Sequence, residues 1–151
     1  MKRGFFPGSF DPFTKGHEVV VKKALSLFDE IIIGVGENST KIPLFDIEKR
    51  LTHIKSHFSE NDKVKIVVFK GLTVEFCKAQ NAQFIVRGLR NSNDFEYEAA
   101  IAQMNLDLAG IETIFLLTDV KYAAVSSTIV REIYKNGGEI KHFVTNSELL
   151  V

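Results

Sequence analysis

The chain has 151 residues, enough for one domain with a substantial core, and its 45% apolar and 25% charged residues are ordinary for a globular protein. Nineteen basic and nineteen acidic side chains cancel, which excludes a bulk electrostatic attraction for nucleic acid or a membrane surface. The lone Cys77 excludes an intrachain disulfide, and with no membrane-length apolar run and no signal-peptide core the expected compartment is the cytoplasm.

The first apolar run, Lys2–Phe6, reads as a strand. It leads into Pro7-Gly8-Ser9-Phe10-Asp11-Pro12-Phe13-Thr14-Lys15-Gly16-His17, ahead of an amphipathic helix over His17–Phe28. A strand-to-helix turn offers backbone N–H groups and the positive end of a helix dipole, a natural seat for phosphate. Gly8 lets the backbone approach an anion, Ser9 supplies a hydroxyl, and His17 at the helix start aims an imidazole N–H at the same place. The competing reading is a plain turn with a capping histidine; the density of special residues favours the phosphate seat.

A second strand over Glu30–Gly36 is followed by Asn38-Ser39-Thr40-Lys41-Ile42-Pro43-Leu44-Phe45. Lys41 alone would be a solvated loop lysine, but on the ligand side of the predicted sheet it is a candidate phosphate clamp. Asp46 is an apt N-cap for a helix over Ile47–Phe58. His53 and His57 share a face of it at i, i+4, and without a third ligand they read as surface histidines rather than a metal pair.

A third strand, Val64–Phe69, precedes a short helix, Thr73–Gln80, whose Cys77 reads as a packed thiol. The fourth strand, Phe84–Arg87, runs into Arg87-Gly88-Leu89-Arg90, two arginines straddling a glycine, which suits a polyphosphate. In the next helix, Asp94–Leu108, the acids Asp94 and Glu96 simply favour the dipole, whereas the arginines ahead of it need a compensating anion. Tyr97, Ile101, Met104 and Leu108 share one face of that helix and suit an interface as well as a core.

After a fifth strand, Thr113–Leu117, the run Tyr122-Ala123-Ala124-Val125-Ser126-Ser127-Thr128 places three hydroxyls at the start of a helix, Ser127–Asn136, which stops at Gly137-Gly138. Arg131 reads equally as a second ligand for that anion or as a surface arginine. His142 has no partner that can be named, and the tail after Phe143 reads as a short helix or a frayed end.

Five strand–helix alternations predict an α/β fold, a Rossmann-like doubly wound five-stranded parallel sheet with helices on both faces, in a single domain over residues 1–151. Each polar motif follows a strand, so all are expected at the carboxyl end of the sheet, where such folds bind ligands. Neither a G-x-x-x-x-G-K-[ST] loop nor a G-x-G-x-x-G fingerprint is present.

Taken together, the motifs resemble those of a known group. Thr14-Lys15-Gly16-His17 matches the T/H-x-G-H motif of a nucleotidyltransferase superfamily, and Ser126–Arg131 resembles its I-S-S-T-x-x-R signature. More specifically, Val86-Arg87-Gly88-Leu89-Arg90 through Asp94-Phe95-Glu96-Tyr97-Glu98 resembles the I-R-G-L-R-x-x-x-D-F-E-Y-E run of the bacterial phosphopantetheine adenylyltransferases. Lys41 with Pro43 and Phe45, and Gly71–Phe76, also fit, and the likeness runs from Lys2 to about Phe143. Small departures are Ser9 for the commoner Thr, Ala123-Ala124-Val125 for Ser-Phe-Ile, and Thr73 in place of a larger apolar residue.

The resemblance implies transfer of the adenylyl group of ATP to 4′-phosphopantetheine, giving dephospho-coenzyme A and pyrophosphate by in-line attack, with no covalent intermediate and no general base. It implies that Ser9 and His17 hold the α-phosphate, with His17 stabilising the transition state, and that Lys41, Arg87 and Thr73 hold the attacking substrate alongside Ser9. Arg90 and the Ser126, Ser127, Thr128 turn would take the outer phosphates. Phe10, Gly88, Leu89, Glu98, Tyr122, Ala123, Ala124 and Val125 would line the nucleotide site. It further implies Mg²⁺ bridging phosphates rather than caged by protein, a homohexamer, and coenzyme A as a feedback inhibitor, with no nucleic-acid or membrane partner. Two rivals are weighed against it. A nicotinate-mononucleotide or glycerol-phosphate nucleotidyltransferase would share the first and last motifs but is not expected to carry the Arg87–Glu98 run. A nucleotide-binding regulatory module would need anion donors, yet not His17 together with a second cationic phosphate site.

Overall fold

A computed structural model describes residues 1–38 and 40–151; Ser39, within the Asn38–Phe45 run, lies outside the described residues. Five strands, β1 (Arg3–Gly8), β2 (Glu30–Gly36), β3 (Val64–Phe69), β4 (Phe84–Leu89) and β5 (Glu112–Leu117), alternate with helices α1 (Lys15–Ala24), α2 (Ile47–His57), α3 (Thr73–Ala79), α4 (Ser92–Ala109) and α5 (Ser127–Lys135). All pairings are parallel, in the order β3-β2-β1-β4-β5, so the doubly wound sheet predicted from the alternation is present and its winding reverses between β1 and β4.

Both faces of the sheet are covered, which is why its central strands are apolar without alternation. Phe6, Ile31, Ile33, Val35 and Val86 pack with Val20, Val21 and Ala24 of α1 and Ile54 of α2. Phe5, Ile32 and Ile85 face the other way, onto Val74 and Cys77 of α3 and Ile111. Burial pushes the Cys77 thiol up to about 11, so it is the inert packed thiol expected. Where α1 crosses β4, a side chain on Gly88 would come within 2.6 Å of Cγ2 of Val20, itself 2% exposed. Gly88→Ala is therefore expected to cost about 1–3 kcal/mol by overpacking, read as a lower thermal midpoint.

The β1–β2 ladder runs from Arg3–Glu30 to Gly8–Val35, whereas β1 and β4 are in register only at Gly4–Phe84 and Phe5–Ile85. Pro7 has no N–H to extend that seam, and the Arg87 side chain takes the Pro7 carbonyl instead, Nη1 donating at 2.6 Å. The two strands thus part at their carboxyl ends, and the crevice opens there.

One expectation needs correction. His53 and His57 are not surface residues: His53 is fully buried and the His57 ring almost so. The reason lies in the tail, which is neither frayed nor free. Val144 and Leu150 pack with Phe45, Val130 and Ile140, a 3₁₀ turn spans Ser147–Leu149, and the Thr145 carbonyl lies 2.7 Å from Nε2 of His53. Tail and α1 together close over the inner face of α2, with the Thr145 hydroxyl donating to Glu18 at 2.7 Å. Meanwhile Tyr97, Met104 and Leu108 leave a solvent-facing apolar stripe along α4.

Candidate active site

The loop after β1 is shaped by its aromatics. Phe10 adopts a left-handed backbone conformation, φ 48°, that folds its ring back under Gly8, where any side chain would come within 2.8 Å of it. Gly8 is thus demanded by that ring and not only by an approaching anion. Phe10 meets the His17 ring edge-on at 5.1 Å, and Phe13 stacks on it at 5.4 Å.

α1 begins two residues earlier than predicted, at Lys15, with Thr14 as N-cap. His17 occupies the third helical position and completes a capping box: its Nδ1 accepts the Thr14 backbone N–H at 2.9 Å. Nδ1 used as an acceptor leaves the proton on Nε2, an assignment that follows from the hydrogen bond. Packing against the aromatic rings, reinforced by the charges of Arg87 and Arg90, holds the imidazole well below its usual 6.5, at about 3. The side chain is therefore a neutral, fixed N–H donor at physiological pH.

The same burial has a cost in acid. His17 and His53, lowered to about 3 and about 4, stay neutral in the folded chain, whereas in the unfolded chain they take up protons below about pH 6.5. Between those limits the unfolded state binds more protons, so the stability held above pH 6.5 is lost as the pH falls towards 3–4. Urea midpoints are expected to drop from pH 7 to pH 5, and less steeply in a His53→Asn variant.

Arg87, at the end of β4, forms a bidentate pair with Glu98 of α4, Nε to Oε2 at 2.9 Å and Nη2 to Oε1 at 2.5 Å. Arg90 is held in the same way by Asp94, at 3.0 Å through both Nε and Nη2, and that ion pair keeps the Asp94 carboxyl below the usual carboxylate range. The anion that the arginines were expected to require is thus supplied in part by the chain itself.

At α5 the three hydroxyls are already engaged. Ser126 caps the helix by accepting the Ile129 N–H at 3.1 Å, Ser127 donates to the Pro12 carbonyl at 2.8 Å, and Thr128 accepts from Arg131 at 3.2 Å. Only Ser127 has committed its O–H; Ser126 and Thr128 act as acceptors and keep a hydroxyl proton for an anion, beside the backbone N–H groups and the positive helix end. Arg131, left open between two readings, turns inward: its Nη1 donates to the Asp11 carbonyl at 2.9 Å.

Two cavities meet at this crevice. The smaller, about 410 Å³, is lined by Phe10, His17, Gly88, Arg90, Val125, Ser126, Ser127 and Thr128. The larger, about 1120 Å³, runs between β4, α3 and α4 and is lined by Thr73, Ile85, Tyr97, Ile101, Asn105 and Thr113 among others. Ser9, Lys41, Arg87, Glu98 and Arg131 border both. The structure therefore joins His17, Ser9, Lys41, Arg87, Arg90 and the Ser126–Thr128 turn around one crevice. Leu89 is buried behind it, and Tyr122, Ala123 and Ala124, at the 3₁₀ turn before α5, line neither cavity.

Sequence reasoning missed Asp11, Arg50 and Thr113. Thr113 could have been found as the one hydroxyl in an apolar strand; its Oγ1 is buried without a partner among the described residues, and Thr113 lines the larger cavity. Asp11 and Arg50 gave no periodic or motif signal of their own.

Residues 5–133 match the Cytidylyltransferase-like family. A phosphopantetheine adenylyltransferase from Christiangramia forsetii is 49% identical over 144 residues, 95% of each chain, and one from Lachnoclostridium phytofermentans is 47% identical over all of this chain and 93% of its own length. Among solved structures, a protein from Vibrio parahaemolyticus assigned as a nicotinate-nucleotide adenylyltransferase superposes with a TM-score of 0.69, covering 99% of this chain and 92% of that one. At 19% identity that likeness bears on the fold alone. With a five-stranded, all-parallel sheet, two cavities meeting at its reversal point and relatives of this identity along nearly its whole length, the chain belongs to the phosphopantetheine adenylyltransferase family.

Proposed function

We propose that this chain, acting as a single domain, transfers the adenylyl group of ATP to 4′-phosphopantetheine, releasing pyrophosphate and dephospho-coenzyme A. The observation that carries the reading is the shared wall: a small polar cavity and a larger, partly apolar one are both bordered by Ser9, Lys41, Arg87 and Arg131, cationic and hydroxyl donors, with Glu98 paired to Arg87 among them. Two phosphates brought together there repel each other, and a rigid set of donors reduces that repulsion without reorganising.

In this proposal ATP fills the smaller cavity. Its α-phosphate sits between Ser9 and Nε2–H of His17, and its outer phosphates meet Arg90 and the backbone N–H groups opening α5. The arm of 4′-phosphopantetheine lies in the larger cavity past Thr73, Tyr97 and Asn105, with its phosphate held by Lys41 and Arg87. That phosphate is already ionised at neutral pH. Its oxygen attacks the α-phosphorus in line, the new P–O bond forms as the bond to pyrophosphate breaks, and no proton need be removed. His17 gives a hydrogen bond to the charge that builds on the α-phosphate and takes no proton.

Magnesium, which the family resemblance implies, would accompany ATP and supply charge neutralisation at the phosphates. The carboxylates nearest the phosphates are committed elsewhere, Glu98 to Arg87, Asp94 to Arg90 and Asp11 to backbone N–H groups, which suits an ion carried by phosphate oxygens. The stripe of Tyr97, Met104 and Leu108 supports the homohexamer that the family resemblance suggests. Coenzyme A contains the pantetheine arm and an adenine nucleotide, which supports the feedback inhibition that the family resemblance suggests. No helix among the described residues is long and apolar enough to cross a membrane, and we place the enzyme in the cytoplasm.

Pyrophosphate release from Mg-ATP tests the reading. It is expected with 4′-phosphopantetheine and not with nicotinate mononucleotide or with ATP alone. Release with nicotinate mononucleotide would reassign the substrate, and ATP binding without any release would leave a regulatory module. Light scattering in solution is expected to give six times the chain mass, falling in a Met104→Glu variant.

A further inference from the structure

Two buried charged side chains join the loop after β1 to the segment that carries Lys41. Asp11, 6% exposed, uses one carboxylate oxygen to accept the Leu44 N–H at 2.8 Å and the other to accept the Phe45 N–H at 2.9 Å. Arg50, on α2 and 4% exposed, donates Nε to the Phe45 carbonyl at 2.9 Å and Nη1 to the Ser9 carbonyl at 2.7 Å, with the Gly36 carbonyl at 3.5 Å. The Phe45 residue is thus gripped at both backbone ends, N–H by Asp11 and C=O by Arg50.

Holding a loop does not by itself call for this. A neutral side chain can bond a carbonyl, whereas removing a guanidinium from water is costly unless several acceptors surround it, as three carbonyls do here. The three carbonyls that Arg50 holds come from three separate segments: the loop after β1, the end of β2, and the residue before the N-cap of α2. Ser9 itself belongs to the first, and Lys41 lies on the stretch between the second and third. Fixing all three sets both ends of the stretch that carries Lys41 against the loop that carries Ser9. Arg131 reinforces the arrangement by holding the Asp11 carbonyl from α5.

We propose that Asp11 and Arg50 are positioning residues for adenylyl transfer: together they clamp the Leu44–Phe45 backbone and so hold Lys41 in register with Ser9, where the attacking phosphate meets the α-phosphate. The proposal rests on the roles given above to Ser9 and Lys41.

Two variants test it. Arg50→Lys keeps the charge but cannot span the carbonyls, and Asp11→Asn keeps the shape but puts an amide N–H₂ against one of the two N–H donors. Displacing a reacting group by about 1 Å costs on the order of 10²-fold. Each variant is expected to lose about 10- to 100-fold in kcat/KM for 4′-phosphopantetheine, with ATP affinity, measured by equilibrium dialysis, within about two-fold of the parent. In a Lys41→Ala background the same substitutions should add little further loss, because coupled groups are not additive.

A full additional loss in that background would overturn the proposal. So would kinetics unchanged per folded molecule, with only the thermal midpoint lowered, which is what a purely structural clamp predicts. If Arg50→Lys does not fold, Asp11→Asn carries the test. Failure of the functional reading itself shows separately, as a parent protein that releases no pyrophosphate from the two substrates.

Discussion

His17→Ala is expected to lower turnover by about 10²–10³-fold, the usual effect of removing one preorganised donor from a developing charge, while ATP still binds. Pyrophosphate release under saturating substrates, with equilibrium dialysis for ATP, measures both. The expectation follows from how the ring is held. Nδ1 is committed to the Thr14 N–H, Phe10 and Phe13 fix the ring plane, and only Nε2–H is left for the phosphate. Because the imidazole ionises only near pH 3, activity between pH 6 and 9 should show no inflection from this residue. A rate that rose or fell with an apparent pKa near 6.5, and lost that dependence in His17→Ala, would assign the histidine to proton transfer instead.

Arg87→Ala is the second large effect. The side chain joins three features: it bridges the parted ends of β1 and β4 through the Pro7 carbonyl, it neutralises Glu98, and it borders both cavities. Its loss leaves a carboxylate facing the phosphates. Turnover should fall by at least about 10²-fold, and stability by about 2 kcal/mol, less than the 3–5 kcal/mol of a fully buried pair, because Arg87 keeps 31% of its side chain exposed. The double variant Arg87→Ala/Glu98→Gln separates the contributions. Removing the stranded charge should return most of the stability and little of the turnover. Recovery of turnover in the double variant would mean that Arg87 serves only to neutralise Glu98.

Much of this was legible in the sequence because the signals were local. Each predicted strand lies within a few residues of one observed, since β-branched and aromatic runs bounded by turn residues carry their own information. The N-cap Asp46 could be read for the same reason. Long-range facts could not. Nothing beside His53 or His57 announces that the chain end returns to cover α2, and the Thr145 carbonyl that meets His53 lies 92 residues further along the chain. Arg50 and Asp11 bond backbone atoms, and a backbone carbonyl leaves no trace in the letters of a sequence. The hydroxyls opening α5 could be read as a cluster, but not the long-range ties that two of them make, Ser127 to the Pro12 carbonyl and, through Arg131, Thr128 to the loop after β1.

The capping box at the start of α1 has a consequence for engineering. Glutamine at the third helical position can accept the same backbone N–H, so a His17→Gln chain should keep the cap and most of its stability, losing only the ring contacts with Phe10 and Phe13, while lacking the rigid donor. Screens that reward thermal stability or expression alone would pass such a chain, and repeated selection of that kind would drift away from turnover unseen. Put to use, it offers a stalled enzyme, able to hold both substrates side by side long enough to be crystallised with them.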